Sequence, residues 1–372
     1  MKVLVTGSSG FIGKNLCSSL SLHDSIELLK LTRDHSPEEL TQLVLKADFI
    51  YHIAGINRPK NDHEFTEGNT DLTKSIVETL RAADKKTPVL ITSSIQAELD
   101  NPYGKSKLAA ENAVLQLREQ TGAQVYIYRL PGVFGKWSKP NYNSVVATWC
   151  YNIAHDLPIE VSDPNHTLKL VYIDDVVDSF VAHLEASKAE TNPYHEVTPT
   201  FEVSLGDLSD RIRFIHNIRS DLVVPDLSDK LNKCLYATYI SYLDTDNFSY
   251  DLTKNSDTRG WLAEFVKSKQ FGQIFISKTK PGISRGEHWH HTKIEKFLVV
   301  EGQAEIIFRN KIHAQDIIRY TVNGDDATVL DIPTGYVHAI KNIGESDLIT
   351  IFWANEILDK NKPDTFFEKV EE

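Results

Sequence analysis

Cysteine is scarce, with only Cys17, Cys150 and Cys234 in 372 residues. They stand far apart without CxxC spacing, which suits a reducing compartment and excludes a cysteine-built zinc cluster. Positive charge is in deficit too: 40 Lys and Arg face 52 Asp and Glu, a formal net charge of -12. A protein whose main task is gripping a phosphate backbone has the opposite balance, so nucleic acid is not an expected partner, although a local basic pocket for a diphosphate is compatible. No run of about 18 apolar residues occurs, and the opening MKVLVTG reads as a strand rather than as the apolar stretch of a signal peptide. The expectation is a cytoplasmic chain with no membrane span. Low-complexity tracts and internal repeats are also missing. What is present, 41% hydrophobic and 25% charged residues, is the composition of a globular protein. Its length exceeds what one core organises, which predicts two domains.

From Met1 to about Leu243 short apolar runs alternate with longer amphipathic stretches, the pattern of a parallel sheet with crossover helices. KVLVTG, IELLKLT, DFIYHIAG, TPVLITSS and QVYIYRL are the strand candidates. Beyond SYLDTDNFSYDL the rhythm becomes all-β, with QIFISKT, KFLVV, QAEIIFR, ATVLDIP and LITIFWAN separated by turn residues. The polar stretch from Leu243 to Asp257 is the predicted linker, giving domains 1–243 and 244–372.

Gly7, Gly10 and Gly13 form GxxGxxG after the first strand and ahead of the helical stretch GKNLCSSL. Glycines there permit a tight turn and close approach of a pyrophosphate to a helix N-terminus, while a ligand-free strand-to-helix turn is the plainer alternative. Downstream, Thr92 to Ser94 read TSS, and YxxxK places Tyr103 and Lys107 one helical turn apart on one face.

VTGSSGFIG, HIAG, TSS, YGKSK and YIDD, in that order, resemble the extended short-chain dehydrogenase/reductases acting on nucleotide sugars, over about residues 1 to 240. The resemblance implies a Rossmann-like fold with a nicotinamide cofactor on Gly7, Gly10, Phe11, Ile12, Gly13, Ala54 and Gly55. It implies that Tyr103 passes the proton, that Lys107 lowers the phenol pKa and holds the nicotinamide ribose, and that Ser94 bonds the substrate oxygen. A phenol near ~10 must fall by about 3 pKa units, roughly 4 kcal/mol, to trade protons freely near neutrality. One departure is the short separation of Ser94 from Tyr103, which curtails an excursion that helps shape the substrate pocket. After the second strand candidate, where NAD sites often carry an acid, stands Arg33, able to pair a 2'-phosphate bidentately. NADPH is therefore favoured over NADH, with a solvated surface Arg as the alternative. Asn143 and Ser144, with Lys136 and Arg129, fall where related reductases build the sugar pocket; solvated loop residues are the plain reading.

In the second half, His288 and His290 share a strand face by alternation, Glu295 follows, and Gly302 ends the next strand. Pro333, Gly335, His338 and Asn342 mark another apolar strand carrying a third histidine. These segments resemble the two cupin motifs, with Ala327 where the second motif usually opens on glycine. The resemblance implies a jelly-roll barrel in which His288, His290, Glu295 and His338 hold a divalent metal. Zinc is the favoured ion, and iron, manganese or nickel would fit the same ligands. Asp257-Thr-Arg259-Gly-Trp-Leu-Ala-Glu264 and Arg285-Gly-Glu-His288 also resemble motifs of cupin-fold 4-keto-sugar epimerases. That implies substrate binding by Arg259, Glu264 and Arg285, the arginines on the diphosphate, and His288 as general base. A histidine whose lone pair is on a metal cannot be the base. The metal role is favoured because His290 and Glu295 complete the cupin spacing; Tyr336 or Lys296 would then be the base, and His291 faces away by alternation.

Together the halves resemble the bifunctional capsular polysaccharide enzymes that make UDP-2-acetamido-2,6-dideoxy-L-talose, precursor of UDP-N-acetyl-L-fucosamine. The implied substrate is a UDP-activated 4-keto amino sugar, epimerised beside the ketone and then reduced with NADPH by a homodimer. A single-activity reductase carrying a non-catalytic cupin for dimerisation or ligand sensing is the rival. A regulatory sugar-binding protein with a decayed site is disfavoured by the intact Ser94, Tyr103 and Lys107.

Overall fold

The computed structural model describes the whole chain except residues 60, 62, 186–189, 313, 314, 316 and 372. Strands β1 (Lys2–Thr6), β2 (Glu27–Leu31), β3 (Phe49–His52), β4 (Val89–Ser94) and β5 (Val125–Leu130) are followed by β6 (Gly132–Phe134), β7 (Thr167–Tyr172), β8 (Tyr194–His195) and β9 (Phe201–Ser204). The main sheet has order β2-β1-β3-β4-β5-β8 and is parallel throughout, while β6, β7 and β9 form a small second sheet. Between the strands run α1 (Phe11–Leu20), α2 (Pro37–Lys46), α3 (His63–Phe65), which continues through a π turn at Thr66–Asp71 into α4 (Leu72–Ala82), α5 (Pro102–Thr121), α6 (Val145–Ala154) and α7 (Ile173–Val181). Helices α8 (Leu205–Asp221) and α9 (Lys230–Ile240) complete this half.

Helices cover both sheet faces, which is why the central strands are continuously apolar rather than alternating. Val3, Val5, Tyr51, Leu90 and Tyr128 bury against Leu16 of α1 and Val176 and Phe180 of α7. Their neighbours Leu4, Ile50, Val89, Ile91 and Ile127 bury on the other side against Val44, Ile76, Leu80, Val114 and Leu117 of α2, α4 and α5. Local signals agree. Ser36 accepts from the Glu39 N–H while the Glu39 carboxylate accepts from the Ser36 N–H, a capping box that starts α2 at Pro37.

The remaining strands are β10 (Lys254–Asp257), β11 (Gly260–Ser268), β12 (Gly272–Thr279), β13 (Ser284–Trp289), β14 (Glu295–Glu301), β15 (Gln303–Asn310), β16 (Ile317–Asn323), β17 (Val329–Ile332), β18 (Tyr336–Asn342), β19 (Leu348–Ala354) and β20 (Phe366–Phe367). They build two antiparallel sheets, β10-β11-β12-β19-β14-β17 and β16-β15-β18-β13-β20. Phe297, Leu330 and Phe352 of the first meet Ile306, Phe308 and Ile340 of the second in one core.

The chain divides into two compact units, Met1–Arg213 with Cys234–Leu243, and Phe214–Lys233 with Asp244–Glu372. The division is therefore not one cut. Within the second unit, Val224 N–H donates to Lys267 O at 2.8 Å and Lys267 N–H to Leu222 O at 2.7 Å, which ties the 214–233 segment to β11. The expected linker is also shorter than 243–257, because Lys254–Asp257 pair with β11 as β10. Among the described residues no helix is long and apolar enough to cross a membrane.

Candidate functional site

Two side-chain constellations are built, one in each unit. In the first, Gly7 lies at φ +66°, where a Cβ would sit 2.7 Å from Ala54 Cα, and a Cβ on Gly13 would sit 2.1 Å from Gly7 O. Close approach of the turn to the chain after β3 demands Gly7, and packing of α1 onto the turn itself demands Gly13. Gly10 caps α1 with no side-chain bond to the first helical turn, so the N–H groups at Phe11, Ile12 and Gly13 keep the anion-binding character of a helix start. Gly7 N–H donates to Leu31 O at 3.1 Å, which sets the turn after β2 beside the glycine turn. Arg33 stands exposed on that turn. His35, which the sequence reading passed over, receives the Thr32 N–H on Nδ1 at 3.3 Å, so Nε2 carries its proton.

Tyr103 lies in the first turn of α5, whose N-cap Asn101 accepts from Gly104 N–H at 2.7 Å. Ser94 ends β4, its hydroxyl accepting the Gln96 N–H at 3.2 Å and acting on the Tyr103 phenol. Lys107, 7% exposed, donates to Thr92 O at 3.0 Å and lies 5.9 Å from the Tyr103 ring centroid. The three predicted residues thus converge. Their electrostatics differ from the implied pattern: burial raises the Tyr103 phenol, and the Ser94 hydroxyl, rather than the Lys107 ammonium, opposes that rise. Burial brings Lys107 down to about 8, with Glu111 pulling it back up. Ala54 and Gly55 follow β3, and a Cβ on Gly55 would press on Asn69 Oδ1 at 2.8 Å and Lys107 Nζ at 3.0 Å. Asn69, in the π turn, receives Ile56 N–H at 2.8 Å and donates to Ser106 Oγ at 3.0 Å. Nothing in its local sequence marked it.

Other predicted pocket residues have structural work. Arg129 is clamped by Glu111, fully buried, at 2.7 Å and by Glu98 at 2.5 Å. Lys136 pairs with Asp174 at 2.5 Å, Ser144 caps α6, and Asn143 is exposed beside that cap.

In the second unit the side-chain ligand atoms of His288, His290, Glu295 and His338 all lie within 4.8 Å of one another. Glu295 Oε2 is 3.4 Å from both His290 Nε2 and His338 Nε2. These two nitrogens are buried without a hydrogen-bond partner. The opposite ring nitrogens donate to carbonyls, His290 Nδ1 to Asp364 O and His338 Nδ1 to Tyr336 O. The Nε2 lone pairs therefore face the cluster, the orientation a metal ligand requires, and the donor set fits a divalent ion. Burial and His338 bring His288 down to about 4, so its imidazole is neutral.

His288 reaches the cluster through a β-bulge. Arg285 opposes Ile340 and His288 opposes His338, with the register slipping between Gly286 and His288 and Glu287 at φ +59°. Strict alternation would send Arg285 and His288 to opposite faces; the bulge turns both inward. Arg285 Nε donates to Thr279 Oγ1 at 2.8 Å, and burial followed by the neighbouring Arg259 lowers its pKa. Arg259 is paired with Asp257 at 2.6 Å. Glu264 shares the inner face through its register partner Phe275 but is bridged to Lys267 at 2.8 Å. Lys296, read as a possible base, lies on the face opposite to Glu295 and pairs with Asp331, which removes it. His291 turns away, against Trp289 and Phe366.

A nucleotide-binding parallel sheet joined to an all-β unit defines a class. Residues 3–197 match the NAD dependent epimerase/dehydratase family and residues 255–366 the polysaccharide biosynthesis C-terminal domain. The chain belongs to the NAD dependent epimerase/dehydratase family, and the homology supports an oxidoreductase using a nicotinamide cofactor. It is 43% identical over 366 residues, 98% of each chain, to UDP-2-acetamido-2,6-beta-L-arabino-hexul-4-ose reductase of Pseudomonas aeruginosa. It is also similar to the crystal structure of the capsular polysaccharide assembling protein CapF from Staphylococcus aureus, at 45% identity and TM-score 0.92, covering 99% of this chain and 100% of that one. UDP-glucuronic acid 4-epimerase of Bacillus cereus, 20% identical with TM-score 0.52 over 58% of this chain and 84% of its own, shares the fold.

Proposed function

We propose that the chain is a bifunctional nucleotide-sugar enzyme of capsule or O-antigen precursor synthesis. Its first unit acts as an NADPH-dependent 4-keto-sugar reductase and its second as a metal-holding cupin epimerase. The carrying observation is that each unit holds a complete constellation of its own: Ser94, Tyr103 and Lys107 in one, His288, His290, Glu295 and His338 in the other. The relative's reductase name supports a UDP-linked 2-acetamido-2,6-dideoxy-4-keto hexose as substrate.

Epimerisation at carbon 3 precedes reduction, because the C–H beside the ketone is acidic only while the carbonyl is intact. A divalent ion, zinc by the donor set, would supply Lewis-acid polarisation of the ketone. His288, His290, Glu295 and His338 orient that centre, Arg285 and Arg259 attract the diphosphate, and Tyr336, on the inner face with His338, is the candidate to exchange the proton. In the reductase site Ser94 holds the ketone oxygen, and Tyr103 gives it a proton as carbon 4 takes the hydride that a bound nicotinamide supplies. Lys107 then stabilises the phenolate and grips the ribose. Arg33, exposed on the turn after β2, favours the 2'-phosphate of NADPH. The product is UDP-2-acetamido-2,6-dideoxy-L-talose.

A homodimer is supported by the outer face of the second unit, where Val329, Leu298, Ile351 and Ile276 are register partners opposite the Phe297 row and Val329 is 54% exposed. The same face, with a relative named only as a reductase, favours the second reading, a non-catalytic dimerising cupin. Incubation of the UDP-4-keto sugar in D2O without NADPH separates the two. Deuterium at carbon 3 is expected, and NMR of the product after NADPH addition should give the L-talo configuration. No deuterium uptake selects the second reading.

A further inference from the structure

The chain beyond β19 returns to the metal-ligand cluster. β20 pairs with β13, setting Phe367 opposite His288 and Phe366 opposite Trp289. Asp364 Oδ1 accepts the His291 N–H at 2.9 Å, and Oδ2 accepts the Thr292 N–H at 2.7 Å, the Thr292 hydroxyl at 3.0 Å and the Lys293 N–H at 2.8 Å. The same residue's carbonyl receives His290 Nδ1–H. Lys293 Nζ donates to Thr365 Oγ1 at 3.0 Å. Farther along, Glu368 N–H donates to Glu287 O at 2.9 Å and Val370 N–H to Glu287 Oε2 at 2.8 Å, fastening the bulge that aims His288. Arg309 locks this stretch by donating to Val370 O at 2.9 Å and pairing with Glu368 at 2.8 Å.

We propose that residues 364–370 are a strap that positions the ligand loop, with Asp364 as its positioning residue, so that strap docking and divalent-ion binding reinforce each other. The inference rests on the metal reading above. The loop from His290 to Lys293 lies between β13 and β14, its His290 carbonyl taking the Gly335 N–H at 2.9 Å, and three of its backbone N–H groups end on one carboxylate. Without that carboxylate the loop must find water for those groups, and the Asp364 carbonyl that accepts His290 Nδ1–H is no longer held against the ring. By reciprocity, an ion that favours the ordered loop also favours the docked strap.

The test uses the full chain, with Zn2+ titrated against a chelator and Co2+ as a spectroscopic probe. Asp364→Ala is expected to weaken Zn2+ about 10- to 100-fold and to change the Co2+ visible spectrum, while nicotinamide nucleotide binding is unchanged. Asp364→Asn, which keeps one acceptor oxygen, should recover part of the loss. In the unaltered protein, Zn2+ should slow hydrogen exchange at the amides of His291, Thr292, Lys293, Glu368 and Val370, which reads the coupling even if Asp364→Ala folds poorly. Unchanged Zn2+ affinity and Co2+ spectrum in Asp364→Ala, or exchange at those amides indifferent to Zn2+, overturns the strap while the metal reading stands. A wild-type chain that takes up neither ion overturns both.

Discussion

At the scale of single residues, the proposed reductase site turns on a phenol and an ammonium that burial pushes in opposite directions. Tyr103→Phe removes the transferable proton and keeps the ring, so reduction is expected to fall by about 10²- to 10⁴-fold with NADPH affinity nearly unchanged, measured by stopped-flow turnover and nucleotide titration. Lys107 has its pKa lowered to about 8, so it is charged below that pH and neutral above it. If the ammonium is the working form, kcat/KM for reduction should hold below pH 8 and decline as pH rises through it. Lys107→Arg, which stays charged, should remove that alkaline limb even where it lowers the rate. Glu111 is a structural counterpart. It is fully buried between Arg129 and the Ser93 hydroxyl. Arg129 is partly exposed and keeps Glu98, but it loses its bidentate partner and Ser93 its acceptor, so Glu111→Ala is expected to destabilise the first unit by about 1–3 kcal/mol in urea unfolding. The sequence reading placed Arg129 in the sugar pocket because a carboxylate 18 positions away cannot be seen to face it until helix and strand are packed.

At the scale of elements, two backbone irregularities mark the second unit. The Glu287 bulge turns Arg285 and His288 to one face. The other is Ala327, at φ +48° in the turn closing after β16, where the cupin pattern usually has glycine. The left-handed region costs an L-residue about 1–2 kcal/mol, part of which glycine's greater unfolded-state freedom offsets. Ala327→Gly should therefore stabilise the second unit by about 0.5 kcal/mol, seen as a raised denaturation midpoint with an unchanged slope; a lower midpoint would show that Ala327 makes contacts worth more than the strain. The strand candidates were legible because apolar runs and alternation are local properties. The β10 strand was not, since its four residues Lys254–Asp257 are all polar and exposed, and only pairing with β11 defines them.

At the scale of the whole molecule, the two chemistries proposed for one chain should be separable by their requirements. Full-length Tyr103→Phe protein is expected to exchange the carbon 3 proton with solvent and stop there. Prolonged chelation should abolish that exchange, lower the thermal transition of the second unit by the loss of a ligand that binds only the folded form, and leave nucleotide binding by the first unit intact. Calorimetry with and without chelator checks this, and transitions indifferent to the chelator would argue against a structural grip on the ion.

What the sequence determined by itself is whatever depends on short spacing: the glycine turn, the Tyr103–Lys107 helical pair, the shared face of His288 and His290, and the change of rhythm between a parallel and an antiparallel half. Those follow from the periods of helix and strand, which neighbours along the chain set. Tertiary structure decided the rest. It joined His338 and Glu295 to the His288 pair from different strands, gave Arg129 and Lys136 to Glu111 and Asp174, drew residues 214–233 into the second unit, and brought Asp364 back more than 70 residues to hold the loop after His290. Each is a long-range contact between groups whose local sequences carry no mark of the partner, because burial and charge pairing are settled only when the sheets close.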